Sequence, residues 1–232
     1  MKTIGLLGGM SWESSALYYQ RINEEVKRRL GDLNSAEILM HSVNFAEIEH
    51  LQHEWNWEAL TEIMIRNAKR LEAGGADFVL ICTNTMHKMA AAVQESISIP
   101  LVHIADATAL AIQKAGYQRV ALLGTAFTME QDFYKGRLIE NYGLQVMIPN
   151  GTQRKDVHRI IYKELCEGKI QDDSREIYKA IIADMKEQGA QCVILGCTEI
   201  TMLISQADLV LPVFDTTEIH AMEAVNVALA SK

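Results

Sequence analysis

The sequence predicts an α/β protein made of two related halves, each built on a parallel β-sheet. Short apolar runs alternate along the chain with amphipathic stretches, an order that gives parallel sheets with right-handed crossovers. Several of these runs are wholly apolar, which is typical of parallel strands buried on both faces of a sheet. Segments of the first half also recur in the second half, so the two halves are expected to share one plan.

The elements follow in order from the spacing of apolar residues and from the glycines that end each run. The first strand is expected over residues 4–7, before Gly8 and Gly9, and the first helix over residues 17–30, before Gly31. The same criteria give a strand over 37–43, a helix over 57–73, and buried strands over 78–81, 119–123 and 192–195.

An internal repeat relates the two halves. Residues 75–85, GADFVLICTNT, match residues 189–199, GAQCVILGCTE, at an offset of 114 (189 − 75). Residues 3–9, TIGLLGG, resemble residues 119–125, RVALLGT, at an offset of 116 (119 − 3). The repeat therefore predicts that each half has a strand and turn near its start and a second strand and turn later.

A third repeated segment indicates where the halves meet. IPLVHIADAT at 99–108 resembles LPVFDTTEIHA at 211–221. We therefore expect a first domain over 1–99 plus 211–232 and a second domain over 100–210. The last helix, about 216–231, is expected to pack on the first domain, and a ligand site is expected between the domains.

Composition and charge oppose several classes of function. The 232 residues are 49% hydrophobic, enough for a sizeable core, and carry a net charge of −8. An acidic protein is not expected to bind nucleic acid or an anionic membrane, because both attract clustered Lys and Arg. The first apolar run is broken by glycines and does not resemble a signal peptide, and no run has the ~18 apolar residues of a membrane span. A cytoplasmic protein is therefore expected.

Cofactor and metal signatures are also absent from the sequence. The run G-L-L-G-G-M departs from the G-x-G-x-x-G of dinucleotide-binding turns. Zinc sites need ligands in paired short spacings such as C-x2-C; Cys192 and Cys197 are five apart and there is no second cysteine pair, so no metal is expected. In a chain of this kind the four cysteines are expected to be free thiols. They are Cys82, Cys166, Cys192 and Cys197.

The repeat brings two polar residues into equivalent positions. Thr83 corresponds to Cys197, since 83 + 114 = 197, and each follows a predicted buried strand. Groups on two faces of one carbon are what a two-base racemase needs, since one removes a proton and the other returns it. A cysteine suits proton removal because its pKa of about 8.5 is expected to fall at an electropositive turn. Backbone N–H groups of such turns can hold a carboxylate as charge builds on it.

The segments LLGGMSWES, CTNTMH, LLGT-x2-TM and LGCTEI resemble the aspartate/glutamate racemase family. The resemblance runs essentially end to end and is strongest with bacterial broad-specificity or L-aspartate/glutamate-specific amino-acid racemases. It implies two pseudo-symmetric flavodoxin-like domains with the active site in the cleft between them. It also implies an amino-acid substrate, no pyridoxal phosphate or other cofactor, a homodimer, and two catalytic thiols, one after a strand of each half.

This chain departs from the family at the first thiol. The family has that thiol directly before Asn-Thr-x-His, where this chain has Thr83. Cys82 stands one residue early, and neighbouring strand side chains point to opposite faces. Cys82 is therefore expected to point away from substrate, although it stays an alternative to Thr83 as the catalytic residue. We predict that Cys197 deprotonates one enantiomer, the L-form by family analogy, and that Thr83 protonates the other face. Because a threonine hydroxyl is a poor base, turnover is expected to be slow or one-sided.

The resemblance also implies the residues that contact substrate. His87 is expected to orient the turn that precedes it, and Thr125, Thr128 and Lys163 are weaker candidates for contact. The predicted substrate-binding residues are Met10, Gln52, Thr83, Asn84, Thr85, Thr198 and Glu199.

Two other functions fit the sequence. A related enzyme of the hydantoin racemase, maleate isomerase or arylmalonate decarboxylase type would also have a cysteine after these strands. A non-catalytic amino-acid-binding protein would have two α/β lobes around a cleft, but the equivalent positions of Thr83 and Cys197 oppose it.

Overall fold

The computed structural model describes residues 1–230, in which strands and helices alternate. Up to Lys114 the elements are β1 (Ile4–Gly8), α1 (Trp12–Leu30), β2 (Ile38–Ser42), α2 (Phe45–His53), α3 (Trp57–Ala73), β3 (Phe78–Ile81), a 3-10 turn (Thr85–Met89), α4 (Ala90–Ser96) and α5 (Ile104–Lys114). The remaining strands are β4 (Arg119–Gly124), β5 (Gln145–Met147), β6 (Cys192–Gly196) and β7 (Val213–Asp215). The remaining helices are α6 (Ala126–Glu130), α7 (Asp132–Tyr142), α8 (Gly151–Lys163), α9 (Asp172–Glu187), α10 (Ile200–Leu203) and α11 (Thr216–Leu229), with 3-10 turns at Leu165–Glu167 and Gln206–Asp208.

Two parallel sheets confirm the predicted α/β class. The first has the strand order β2-β1-β3 and the second β5-β4-β6-β7. In each sheet the earliest strand, β1 or β4, lies between the next two strands along the chain, and all pairings are parallel. The strand order is therefore repeated between the halves, as the sequence repeat predicts.

The third repeated segment forms the edge of each sheet. The Val79 N–H donates to the Pro100 carbonyl at 2.9 Å, and the Val193 N–H donates to the Pro212 carbonyl at 2.9 Å. In the first sheet this pairing is a single bridge between Val79 and Leu101, whereas in the second it extends into β7. Equivalent residues therefore form the edge of each sheet, but the paired stretch is longer in the second sheet than in the first.

The chain divides into two compact units at places that differ from the expected domain boundaries. The first unit comprises Met1–Ile104 and the chain from His220 onward, and the second is Ala105–Ile219. The sequence division instead assigned residues 100–104 to the second domain, and it joined residues 211–219 to the first domain. These residues belong to the second unit because β7 pairs with β6. Residues 231 and 232, which the predicted helix and domain included, lie outside the described residues.

Helices cover both faces of the first sheet. On one face, Leu6 and Leu80 pack with Tyr18 and Ile22 of α1 and with Val225 of α11. On the other face, strand residues of β1 and β3 pack with apolar residues of α3. The residues of this second face include Leu7, Val79, Ile81, Leu60, Met64 and Ala68. Fully burying a side chain of this size contributes about 1.5–3 kcal/mol to the free energy of folding. The packed helices therefore fix the strands and the positions of their ends.

The first helix begins earlier than the apolar spacing predicts. Ser11 caps α1, since its hydroxyl accepts from the Ser14 N–H at 3.3 Å, and Gly31 at φ 76° ends it. The first turns of α1 are polar or exposed, with Trp12 66% exposed. Apolar periodicity therefore could not show these turns, although the end at Gly31 was predicted.

In the second unit, β4 and β6 lie in a core formed mainly with α8 and α9. Their last residues, Gly124 and Gly196, are paired. A Cβ atom at Gly196 would lie 2.9 Å from the Leu123 carbonyl oxygen, closer than real Cβ contacts, so glycine permits the close approach of the two strand ends. Cys197 follows directly at this carboxyl end, where ligands of parallel sheets collect.

Within residues 1–230, none of the helices has the length and apolar character to cross a membrane. The four cysteines are free thiols, as the sequence predicts.

Candidate active site

The turn after β1 depends on a glycine. Gly9 has φ +90°, and a Cβ atom there would lie 2.3 Å from the Val43 carbonyl oxygen, so a larger residue would be strained. The Gly9 N–H donates to the Ser15 hydroxyl at 2.7 Å, and that hydroxyl donates to the Ser11 carbonyl at 3.0 Å. Met10 follows Gly9 in this turn, belongs to the apolar cluster that contains Leu7, and is only 5% exposed. The turn therefore buries the side chain of Met10.

The predicted turn after β3 is formed by backbone bonds at its start. The strand ends at Ile81, the Cys82 N–H donates to the Leu7 carbonyl at 2.9 Å, and the Thr83 N–H donates to the Ile81 carbonyl at 2.9 Å. Thr83 is half-buried, whereas Asn84 and Thr85 are buried. Thr83 is therefore the more accessible residue of this trio.

Cys82 lies in the core of the first unit. Its thiol is fully buried in the apolar cluster that contains Leu6, Tyr18 and Leu80, which is the face opposite to Val79 and Ile81. Burial raises the pKa of the Cys82 thiol well above its ordinary value. The side-chain alternation of β3 therefore continues through Cys82, whose thiol is enclosed by apolar side chains.

Gln52 lies next to the residues that follow Thr83. It is buried near the end of α2, and its Nε2 donates to the Met86 sulfur at 3.2 Å. Met86 also belongs to the apolar cluster that contains Met10. The structure thus brings Met10, Gln52 and the turn after β3 into one region of the first unit.

The turn after β6 carries the predicted residues of the second unit. Cys197 is half-buried, and its Sγ donates to Oε2 of Glu199 at 2.9 Å. Thr198 is buried and its hydroxyl shares a hydrogen bond with the hydroxyl of Thr217 at 3.0 Å. The Thr217 N–H in turn donates to Oδ1 of Asp215 at 2.9 Å. The thiol and its carboxylate partner are therefore fixed side by side.

The pKa of Cys197 is raised well above its ordinary value, first by burial and then by the negative charge of Glu199. Cys166 and the hydrogen bond to the Glu199 carboxylate raise it further, and the Glu199 N–H lowers it. The expectation of a lowered pKa is thus wrong, because the thiol is buried and a carboxylate adjoins it. Cys197 rests as a thiol bonded to a carboxylate, which is an acid–base pair.

The three weaker candidates lie at helix ends: Thr125 and Thr128 at the start of α6, and Lys163 at the end of α8. Thr125 caps α6, since its hydroxyl accepts from the Thr128 N–H at 3.3 Å. Both threonines are buried. Lys163 is an exposed residue of the last turn of α8. Thr125 and Thr128 therefore serve the turn after β4, and Lys163 has an accessible ammonium group.

Thr217 joins the site of the second unit without having been predicted. It lies in the repeated segment 211–221 and bonds Thr198. The repeat could have indicated Thr217, since the matching segment, 99–108, follows the edge of the first sheet. Among residues 1–230, no group of three or more His, Cys, Asp or Glu side chains could hold a metal ion.

Replacing Glu199 with glutamine is expected to lower the pKa of Cys197, because the Glu199 charge is the second largest cause of its rise. Alkylation by iodoacetamide requires the thiolate, so the rate–pH profile of Cys197 should move toward lower pH in Glu199→Gln. Cys166 is exposed, so both proteins should carry Cys166→Ser. Mass spectrometry would follow the modified peptide.

An unchanged alkylation profile in Glu199→Gln would contradict this coupling. Glu187→Gln is a suitable control, because it removes one carboxylate at the far end of α9.

The chain is similar to racemases over nearly its whole length. A family model described as Asp/Glu/Hydantoin racemase matches residues 7–224. The chain is 21% identical over 232 residues to the broad specificity amino-acid racemase RacX of Bacillus subtilis (strain 168), with 98% of each chain covered.

Two solved structures are similar in both sequence and fold. One is a candidate Asp/Glu racemase from Yersinia pestis, 49% identical with a TM-score of 0.94, covering 99% of this chain and 100% of that chain. The other is an aspartate racemase homologue from Pyrococcus horikoshii OT3, 38% identical with a TM-score of 0.84, covering 99% and 100%.

Proposed function

Since this chain belongs to the Asp/Glu/hydantoin racemase family, we propose that it interconverts the L- and D-forms of an amino acid by removing and returning the α-proton. The family makes it an isomerase. The substrate we propose is aspartate, glutamate or a wider range of amino acids. The observation that carries the proposal is the 2.9 Å hydrogen bond between the Cys197 thiol and the Glu199 carboxylate.

In the proposed cycle three side chains carry protons, and each regains its starting protonation state. Glu199 takes the thiol proton of Cys197, and the thiolate then removes the α-proton of the L-amino acid. The Thr83 hydroxyl donates its proton to the opposite face of the carbanion, which gives the D-amino acid and an alkoxide. The alkoxide regains a proton from solvent, and Glu199 releases its proton to solvent, so the starting state is restored.

Substrate charge assists the first step of this cycle. The raised pKa of Cys197 keeps the thiolate scarce in the ligand-free protein. The α-ammonium group of a bound amino acid brings a positive charge to the site, and an opposite charge nearby favours the thiolate. We therefore expect Cys197 to be activated mainly when substrate is bound.

The proposed substrate contacts come from the turns that adjoin the two reacting groups. Met10, Gln52, Asn84 and Thr85 would contact substrate from the turns of the first unit, and Thr198 and Glu199 from the turn after β6. Met10, Gln52, Asn84, Thr85 and Thr198 are buried, which supports this because fixed side chains hold a ligand at a smaller entropic cost than mobile ones.

Three further properties are part of the proposal. The enzyme works without pyridoxal phosphate, because the Cys197–Glu199 pair supplies proton transfer directly. It works in the cytoplasm, which its free thiols support. It forms a homodimer, for which the support is resemblance to the family.

The proposal is tested by incubating dialysed protein with L-aspartate, L-glutamate and a panel of other L-amino acids in heavy water. Reductant, EDTA and hydroxylamine are present, so that metal-dependent and pyridoxal-dependent exchange is suppressed. Proton NMR follows loss of the α-hydrogen, and chiral chromatography follows the D-product. We expect both with at least one substrate, and faster turnover from the L-form than from the D-form.

Binding of an amino acid without loss of its α-hydrogen would contradict the proposal and favour a binding protein. Release of carbon dioxide from an arylmalonate, or conversion of a hydantoin or of maleate, would instead assign the chain to another branch of these enzymes.

A further inference from the structure

Three histidines lie side by side in the buried interior of the first unit. The ring of His87 is 4.5 Å from that of His103 and 5.8 Å from that of His220, measured between ring centroids. All three side chains are buried. Their ring nitrogens must therefore be satisfied by the groups around them.

The hydrogen bonds of His87 define its protonation. Its Nδ1 is 2.7 Å from the Thr83 carbonyl oxygen, which can only accept, so Nδ1 carries the hydrogen. The Ile104 N–H donates to Nε2 at 3.2 Å, so Nε2 presents its lone pair. His87 is thus neutral and held in the Nδ1–H tautomer by two backbone groups.

His220 is held in the opposite tautomer. Its Nε2 donates to the Val102 carbonyl at 2.8 Å, and its Nδ1 accepts from the Tyr18 hydroxyl at 2.8 Å. The edge of its ring meets Tyr18 at a centroid distance of 5.6 Å. The two histidines therefore bind backbone groups of the same short segment, 102–104.

This segment is where the chain leaves the first unit. The first unit ends at Ile104 and resumes at His220. His87 accepts a hydrogen bond from Ile104, the last residue before the chain enters the second unit. His220 is the first residue after the chain returns to the first unit. The same His87 ring bonds the carbonyl of Thr83, the residue proposed to donate the proton.

We propose that His87 is a positioning residue, which fixes the Thr83 turn to the chain at Ile104 and so sets the place of the Thr83 hydroxyl. The proposal rests on the proposed function, because it gives Thr83 a role in proton return. The Thr83 carbonyl belongs to the backbone that directs the hydroxyl. A hydroxyl displaced by about 1 Å can cost about 10²-fold in rate.

Two substitutions separate the two bonds of His87. His87→Asn keeps an N–H donor near the position of Nδ1 and loses the acceptor for Ile104. His87→Gln keeps an acceptor near the position of Nε2 and loses the donor to Thr83. His220→Gln is the matched control, because it disturbs the same buried group without changing the bond to the Thr83 carbonyl.

The readout is a ratio measured in heavy water. Deuterium at the α-carbon of remaining L-substrate reports proton transfer by Cys197 alone, whereas D-product also requires Thr83. A purely structural effect lowers both rates together. We expect His87→Gln to lower the ratio of D-product to deuterated L-substrate at least about tenfold, a part of the loss that misplacement produces. His87→Asn and His220→Gln should keep the wild-type ratio.

The tautomer gives a second test that does not depend on activity. Long-range correlations between ring protons and ¹⁵N nuclei of histidine should show His87 protonated at Nδ1 and His220 protonated at Nε2. A His87 ring protonated at Nε2 would overturn the proposal, even if His87→Gln failed to fold.

The outcomes distinguish the two proposals. A wild-type protein that exchanges no α-hydrogen contradicts the proposed function. Normal wild-type exchange with an unchanged ratio in His87→Gln contradicts only the role of His87.

Discussion

Replacing Cys197 with serine is expected to lower α-hydrogen exchange from L-substrate by about 10⁴-fold, the upper range for a general acid–base group. A serine hydroxyl has a much higher pKa than a thiol, so the Glu199 carboxylate, which accepts the thiol hydrogen at 2.9 Å, cannot generate a useful base from it. The change removes no large apolar group, since Cys197 is half-buried. Thermal unfolding should therefore stay close to that of the wild type.

Two other cysteines provide controls for this result. Cys166→Ser changes an exposed thiol and should retain exchange within a few-fold. Cys82→Ala changes the fully buried thiol and, in the fraction that folds, should also retain it. Exchange by Cys197→Ser within tenfold of the wild type, or loss of exchange in folded Cys82→Ala, would contradict the assignment of Cys197.

Replacing Thr83 with alanine is expected to separate exchange from inversion. The variant lacks the hydroxyl that returns the proton, so D-product should form at least about 10²-fold more slowly, the lower range for loss of a general acid. Deuteration of the L-substrate should continue, since Cys197 both removes and returns that proton. Chiral chromatography and proton NMR of one reaction measure the two rates together.

Thr83→Ser keeps the hydroxyl and is the matched control, with D-product expected near the wild-type rate. Equal losses of D-product and of L-deuteration in Thr83→Ala would show that Thr83 does not act on one face, and the proposed pairing with Cys197 would then be wrong.

Periodicity and the repeat predict much of the fold, because both reflect burial of apolar faces. The runs at 78–81 and 192–195 became β3 and most of β6, and the offset between them relates Thr83 to Cys197. The early turns of α1 were missed because they bury few apolar residues. A cap at Ser11 determines where that helix starts.

Side-chain contacts account for what the sequence could not predict at the site. The pKa of Cys197 is raised first by burial and then by the charge of Glu199, and residue order alone shows neither the burial nor whether that carboxylate turns toward the thiol. The extent of β7 similarly depends on pairing with β6, so the point at which the chain passes between units was displaced from the expected boundary.

The division of the chain at Ile104 and His220 has a consequence for synthesis on the ribosome. The second unit is one uninterrupted stretch, so it can be completed while the last helix is still being made. The first unit, although it is made first, waits for α11, whose Ala221, Ala224 and Val225 cover the Leu6 and Leu80 face of its sheet. Until then only α1 packs on that face, and a premature stop codon before His220 would leave the part that α11 covers exposed to solvent.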